Sequence, residues 1–243
     1  MTSFSYRNRF RHKNAGKEYD EFFVNRVDSL IWSGFVKPFV FNILRQEASK
    51  GAGKYLDFAC GTGRILSVGG QVFNDATGVD ISESMLEIAK KRVPSAKLLC
   101  LDVTRDDTEF IGLFDCVSSF RFLRNAEPML RQEVLKWMSA HMSPGGLLVV
   151  NNHGYVFSWL GLTTKLAFWL PPESRNLLTN KQTFAMLEGA GFSVQSCEGF
   201  QILPGIFGRP VFGRWLQEKL ERLCRKLGMG RFGAEQVVIA RKL

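Results

Sequence analysis

Lys54-Tyr-Leu-Asp-Phe-Ala-Cys-Gly-Thr-Gly-Arg-Ile-Leu66 is the stretch whose reading decides the fold. Tyr55 to Cys60 is a short apolar run that carries one acid, Asp57, and reads as a buried strand. Gly61 and Gly63 follow, and a helical pattern opens at Arg64. Strand, glycine turn and helix in succession build a nucleotide site in an open parallel sheet: glycine lets the backbone approach a ligand, and the helix start offers free N–H groups. A dinucleotide turn needs a third glycine three residues after the second, and Leu66 stands there, which argues against NAD or FAD. Asp57 lies before the glycines, where a pyrophosphate would be repelled and an ammonium group attracted.

Two more strands follow the same plan. Ala76-Thr-Gly-Val79 ends at Asp80, nineteen residues beyond Gly61, where α/β nucleotide sites place an acid on ribose hydroxyls. Ser82 then stands as the N-cap of a helix. Lys97-Leu-Leu-Cys-Leu101 ends at Asp102-Val103, so three successive strands each bring an acid to one sheet edge.

These residues resemble the class I S-adenosylmethionine-dependent methyltransferases, of the type 11 or UbiE-like group. That family's first motif runs Asp-x-Gly-x-Gly-x-Gly, and this chain has Asp57-Phe58-Ala59-Cys60-Gly61-Thr62-Gly63, with Ala59 in place of the first glycine. The Ser143-Pro-Gly-Gly146 turn into a fifth strand is a further likeness. The resemblance implies a Rossmann-like, doubly wound α/β sheet of seven strands in the order 3-2-1-4-5-7-6, with strand 7 antiparallel. It also implies S-adenosyl-L-methionine as cofactor and S-adenosyl-L-homocysteine as product. Their contacts would come from Asp57, Ala59, Gly61 and Gly63, from Asp80, Ile81 and Met85, from Asp102 and Val103 at the adenine edge, and from Ser118. Tyr19 matches a tyrosine that packs on the cofactor in such proteins; plain helix packing is the alternative.

The 243 residues suit one domain, 18–243, with cap helices over 18–31 and 35–49 and lid insertions at 155–180 and 200–233. Formal net charge is +9, gathered at the ends: residues 1–17, read as a loose basic tail, carry five Lys/Arg and no acid, and residues 200–243 carry nine Lys/Arg against three acids. Basic ends point to an anionic partner or to solvated tails. The five cysteines show no Cys-x-x-Cys spacing, so no metal site is expected and the thiols read as free in a reducing cytoplasm. No apolar signal segment opens the chain, and the apolar run 155–170 is short for a bilayer span.

His153 follows the fifth strand at the ligand edge of the sheet, and reads either as a general base or as a loop histidine. Leu216, Leu220, Leu223 and Leu227 form a stripe flanked by Arg214, Lys219, Arg222, Arg225 and Lys226. It reads as a basic amphipathic helix that meets a membrane surface or an acidic acceptor through Arg222 and Arg225, or as a helix packed on the protein's own core. With Trp159, Phe168, Trp169 and Trp215 it is expected to wall an acceptor pocket. The reading favoured is methyl transfer to an oxygen or nitrogen of a small-molecule or lipid-linked sugar acceptor, in the cytoplasm or peripherally at a membrane. A non-catalytic cofactor-binding subunit is the alternative. Nucleic acid is disfavoured, since the (Asn/Asp)-Pro-Pro-(Tyr/Phe) sequence of base and amide methylation is absent after Ser119.

Overall fold

The computed structural model describes residues 6–23, 26–166, 176–206 and 208–243. Seven strands form one sheet: β1 Lys54–Phe58, β2 Asp75–Asp80, β3 Lys97–Cys100, β4 Phe114–Ser119, β5 Met142–His153, β6 Phe192–Phe200 and β7 Glu235–Lys242. Their order is 3-2-1-4-5-7-6, the order expected. β1 to β5 pair in parallel, and β7 runs antiparallel between β5 and β6. A separate two-residue ladder joins Gly205–Ile206 to Arg209–Pro210.

Strand side chains alternate between two apolar layers, as a sheet covered on both faces requires. Leu56, Val117, Leu148, Val150 and Val238 face helices α7 (Pro128–Ala140) and α9 (Asn180–Gly189). Tyr55, Cys116, Leu147, Val149 and Val237 face the layer that holds Val40 and Leu44 of α4 (Lys37–Ala48), Leu66 of α5 (Leu66–Gly69) and Leu86 of α6 (Glu83–Arg92).

The N-terminal third departs from expectation. Residues 6–17, read as a loose tail, contain a helical turn, α1 Tyr6–Arg9, seated on the sheet edge. The Tyr6 N–H donates to Glu127 at 2.8 Å, and its ring meets Phe122 edge-on. Helix α2 is Ala15–Phe23; the next helix starts at Val27 (α3, Val27–Ile31) and runs through a π-helical stretch, Trp32–Val36, into α4. This Val27–Ala48 segment is long and apolar enough to cross a bilayer by length and composition. Its Leu30, Ile31, Val36, Val40 and Leu44 are instead spent on the protein's own core. Ser82 does occupy the N-cap position of α6, but its hydroxyl makes no capping bond; Asp80 takes the Ser82 N–H instead, at 2.9 Å.

Of the 155–170 region, the structure describes helix α8 (Trp159–Leu166); Phe168 and Trp169 lie outside the described residues. The leucine-stripe helix is α10, Arg214–Lys226, and its two buried residues are polar: Gln217 and Glu221. Glu221 accepts the Ile202 and Leu203 N–H groups at 2.9 and 3.2 Å. Removing it leaves two donors without their partner, so Glu221→Ala is expected to cost about 2–3 kcal/mol in chemical denaturation, against less than about 0.5 kcal/mol for Leu223→Ser on the outer side.

Candidate active site

At the carboxyl end of β1, Asp57 is 1 % exposed. It lies beside Ser118 in the β1–β4 register. The Ser118 hydroxyl donates to Asp57 Oδ1 at 2.6 Å, and Tyr55 Oη lies 2.6 Å from that same hydroxyl. Asp57 Oδ2 is buried and makes no hydrogen bond among the described residues. Burial raises this carboxyl from its ordinary 3.8 to about 7; the Ser118 hydroxyl and the Leu66 N–H oppose the rise, and Asp80 adds to it.

The turn that follows needs left-handed backbone. Ala59, Gly61 and Gly63 take φ of 53°, 54° and 79°. Ala59, at the motif's first glycine position, therefore bears roughly 1 kcal/mol of strain that glycine would not. Gly61 faces the ligand side, where a Cβ would come within 3.3 Å of the Met85 sulfur. Gly63 serves packing: a Cβ there would press on Ala89 at 3.1 Å. Helix α5 has only four residues, so the loop backbone, and not a long helix dipole, offers donors here. Asp80 Oδ2 accepts the Gly61 N–H at 2.8 Å, tying the turn to the end of β2. Burial pushes the Asp80 carboxyl up, against the N–H groups of Gly61, Ser82 and Ile81.

These elements open on a cleft of about 710 Å³, solvent at its mouth included, large enough for a nucleoside-sized ligand. Ala59, Gly61, Asp80, Ile81, Met85, Asp102 and Val103 all line it, as does Tyr19. Asp57 lines a smaller chamber that continues it, with Tyr19, Arg64 and Arg121. Ser118 and Gly63 line neither; they act from behind, on Asp57 and on α6. Each carboxylate oxygen of Asp80 keeps a lone pair for a ribose hydroxyl. The unpaired Asp57 Oδ2 suits the ammonium of an amino-acid moiety, so the residues fit S-adenosylmethionine. Sequence reasoning missed the N-terminal arm. Arg7 Nε donates to Asp102 Oδ2 at 2.8 Å, and Tyr6, Arg7 and Phe10 close one wall. Burial works against the Asp102 charge, but Thr104 and Arg7 outweigh it and hold the carboxyl below its ordinary range.

A second chamber, about 1150 Å³ with its open mouth, adjoins the first. Arg26, Asp28, Arg121, Arg124, His153 and Glu235 supply its polar lining, and Trp159 and Leu160 an apolar flank. Arg121 lines both the cleft and this chamber. It sits at φ 60°, with its N–H on Asn151 Oδ1 at 2.5 Å and its guanidinium 3.4 Å from Asp28. Burial opposes its charge, but Tyr19, Glu235 and Asp28 more than offset that, so Arg121 is a fixed cation. Burial raises the Glu235 carboxyl, which accepts from Asn151 Nδ2. His153 and Glu235 stand opposite each other across β5 and β7. Gly154, at φ 71°, takes next to them a left-handed backbone that favours glycine; a Cβ there would meet only the movable end of the Arg124 side chain. Trp215, expected in this wall, points away and is 67 % exposed.

Two outcomes test the cleft. Between about pH 4 and 7 folded Asp57 holds a proton that the unfolded chain releases, so stability without cofactor should fall as pH rises through that window, by up to roughly 4 kcal/mol. Denaturation midpoints across pH should show that slope, and Asp57→Asn should flatten it. Asp80→Ala should weaken S-adenosylhomocysteine binding by about 1.5–3 kcal/mol in calorimetry, since it removes a charged acceptor and the tie on Gly61.

Comparison with known proteins agrees with this site. A family model described as a methyltransferase domain matches residues 34–196. A dTDP-3-amino-3,4,6-trideoxy-alpha-D-glucopyranose N,N-dimethyltransferase from Streptomyces venezuelae is 35 % identical over 101 residues, 41 % of this chain and 42 % of that one. Demethylmenaquinone methyltransferase from Staphylococcus aureus is 31 % identical over 143 residues, 56 % of each chain. The chain thus matches only about two-fifths to just over half the length of these relatives. Among solved structures, magnesium protoporphyrin IX methyltransferase from Synechocystis PCC 6803, with bound S-adenosylhomocysteine, superposes with a TM-score of 0.66 at 16 % identity, over 98 % of this chain and 100 % of that one. An amino pentose methyltransferase from Micromonospora echinaspora gives 0.58 at 18 % identity, over 93 % and 97 %. With its sheet order, its acid-ended strands and a family match over most of its length, the chain belongs to the class I S-adenosylmethionine-dependent methyltransferases.

Proposed function

We propose that the protein methylates an oxygen or nitrogen nucleophile of a small-molecule acceptor held in the second chamber, and that this acceptor is a sugar or lipid-linked sugar carrying an anionic group. The observation that carries the reading is the cross-strand pair His153 and Glu235. Both line a chamber that meets the cofactor cleft at Arg121. The bound cofactor supplies an electrophilic sulfonium methyl. The chain's own part is to position the acceptor and receive its proton. His153 takes that proton from the nucleophile, with Glu235 beside it to balance the imidazolium that results. Trp159 offers a flat apolar surface for a sugar ring, and Arg26 and Arg124 suit a phosphate.

The relatives support this class without fixing it. One acts on a nucleotide-linked amino sugar by its name, and another on demethylmenaquinone. Nucleic acid remains disfavoured, because Arg7 of the basic N-terminus is engaged with Asp102.

An acceptor screen with labelled cofactor, over amino sugars, sugar phosphates and lipid-linked sugars, tests the class directly. On the acceptor found, His153→Ala should lower kcat by about a hundredfold or more and leave the affinity for S-adenosylhomocysteine unchanged. Unchanged turnover across pH would return His153 to a packing role.

A further inference from the structure

Helix α10 is inverted relative to an ordinary surface helix, which buries its apolar stripe. Its seated arc is polar. Gln217 Nε2 donates to the Pro204 carbonyl at 3.1 Å, and Glu221 holds the Ile202 and Leu203 N–H groups. At about 100° per residue, Glu218, Arg222 and Arg225 extend that arc on one side. Glu218 abuts Gly34, the Arg222 guanidinium lies 5.0 Å over the Phe35 ring, and Arg225 lies 4.3 Å over Phe200 and 3.6 Å from Glu198. Arg225, expected to meet an anionic surface, is therefore half-buried against the protein, while Arg222 leans on Phe35 and stays exposed at the border of the outward arc.

The outward arc is left with Leu216, Leu223 and Leu227 in one row, with half-buried Leu220 at its inner edge, bordered by Trp215, Lys219 and Lys226. Leu223 and Leu227 are 51 % and 68 % exposed. Lys219 Nζ sits 3.9 Å over the Trp215 ring. Phe212 before the helix and Phe232 after it are exposed as well. The arc contains no acid, because the helix's two acids, Glu218 and Glu221, both face the body.

We propose that this arc is a docking surface for a bilayer bearing anionic phospholipid. Its chemistry selects that occupant. Leucines enter the acyl boundary, an indole takes the headgroup level, and the lysines reach up to phosphates while their stems stay apolar. A second copy packed on the same row would set lysines against lysines with no acid in the arc to pair them. The surface is also coupled to the acceptor chamber, since Gln217 and Glu221 hold the 202–204 segment and Leu203 and Pro204 line that chamber. An amphiphilic acceptor could then pass from bilayer to chamber, a consequence that rests on the acceptor reading above; the docking itself does not.

Vesicle co-sedimentation of the full chain tests it, with phosphatidylcholine alone against phosphatidylcholine mixed with phosphatidylglycerol. Partitioning to the anionic vesicles should be at least about tenfold stronger, and about 0.5 M salt should weaken it. Lys219→Glu with Lys226→Glu, and separately Leu223→Ser with Leu227→Ser, should each lower partitioning at least about tenfold. Affinity for S-adenosylhomocysteine and the thermal midpoint should stay put, which shows the variants fold and keeps this result separate from the cofactor and acceptor readings. No binding to anionic vesicles at low salt overturns the proposal. So does binding that survives the leucine pair, or a wild-type dimer in sedimentation velocity that the leucine pair dissociates.

Discussion

The rest of the site depends on a carboxyl group placed where water cannot reach it. Asp57, Asp80 and Asp102 converge at the carboxyl edge of β1, β2 and β3, and three like charges that close need separate compensation. Asp102 has Arg7 and Thr104, and Asp80 has backbone N–H groups from two loops. Asp57 has a serine hydroxyl, itself within hydrogen-bond reach of a buried tyrosine, and the Leu66 N–H, which together fall short of the cost of burial. Its second oxygen is left open toward the chamber. An ammonium there would supply what the protein leaves out, so the amino-acid end of a bound cofactor would complete an electrostatic arrangement that the folded chain holds unfinished.

A second consequence follows from the reversed last strand. The parallel strands end at the ligand edge, whereas β7, running the other way, begins there. Its first residue, Glu235, is thereby set level with the last of β5, His153. The loop after β4 enters the same space. Asn151 takes the Arg121 N–H and donates to Glu235, so one asparagine fixes a cation and an acid together. A left-handed φ at Arg121 is tolerated because these contacts overdetermine it.

What the sequence made legible is what local chemistry dictates. β1 to β4 and their terminal acids could be read because apolar runs, glycines and acids at one edge are all short-range signals. Glu235 was within reach too, had the antiparallel sense of β7 been used to carry its start to the ligand edge. Other features come from long-range pairing. The binding of Arg7 to Asp102 joins residues 95 apart, and nothing in a basic N-terminus announces it. The π-helical turn at Trp32–Val36 has no local marker either. The leucine stripe of α10 was visible as a period, but a period states which residues share a face and not which way that face turns. Gln217 and Glu221 decided that by binding backbone groups of the 202–204 segment, a choice that exists only once β6 and its exit loop are in place.

The acid at the head of β7 bears on the proposed chemistry. Arg121 borders both cavities, while Asp28 and Glu235 border the second chamber, the one proposed for the acceptor, and not the cofactor cleft. Methyl transfer from a sulfonium moves positive charge from cofactor to acceptor. The second chamber as a whole is not the more negative of the two, since Arg26 and Arg124 line it as well and Asp80 and Asp102 line the cleft; what counts is the local placement of Glu235, level with His153, where charge gained by an acceptor would be met by a group already in position. The raised Glu235 carboxyl then has a use beyond balancing Arg121: an acceptor amine that becomes cationic on methylation, or a hydroxyl whose proton passes to His153, makes the ionised carboxylate more favourable as the reaction proceeds. Interactions that strengthen along the reaction coordinate are the ones that raise turnover, and the pair at the head of β7 is placed to provide one.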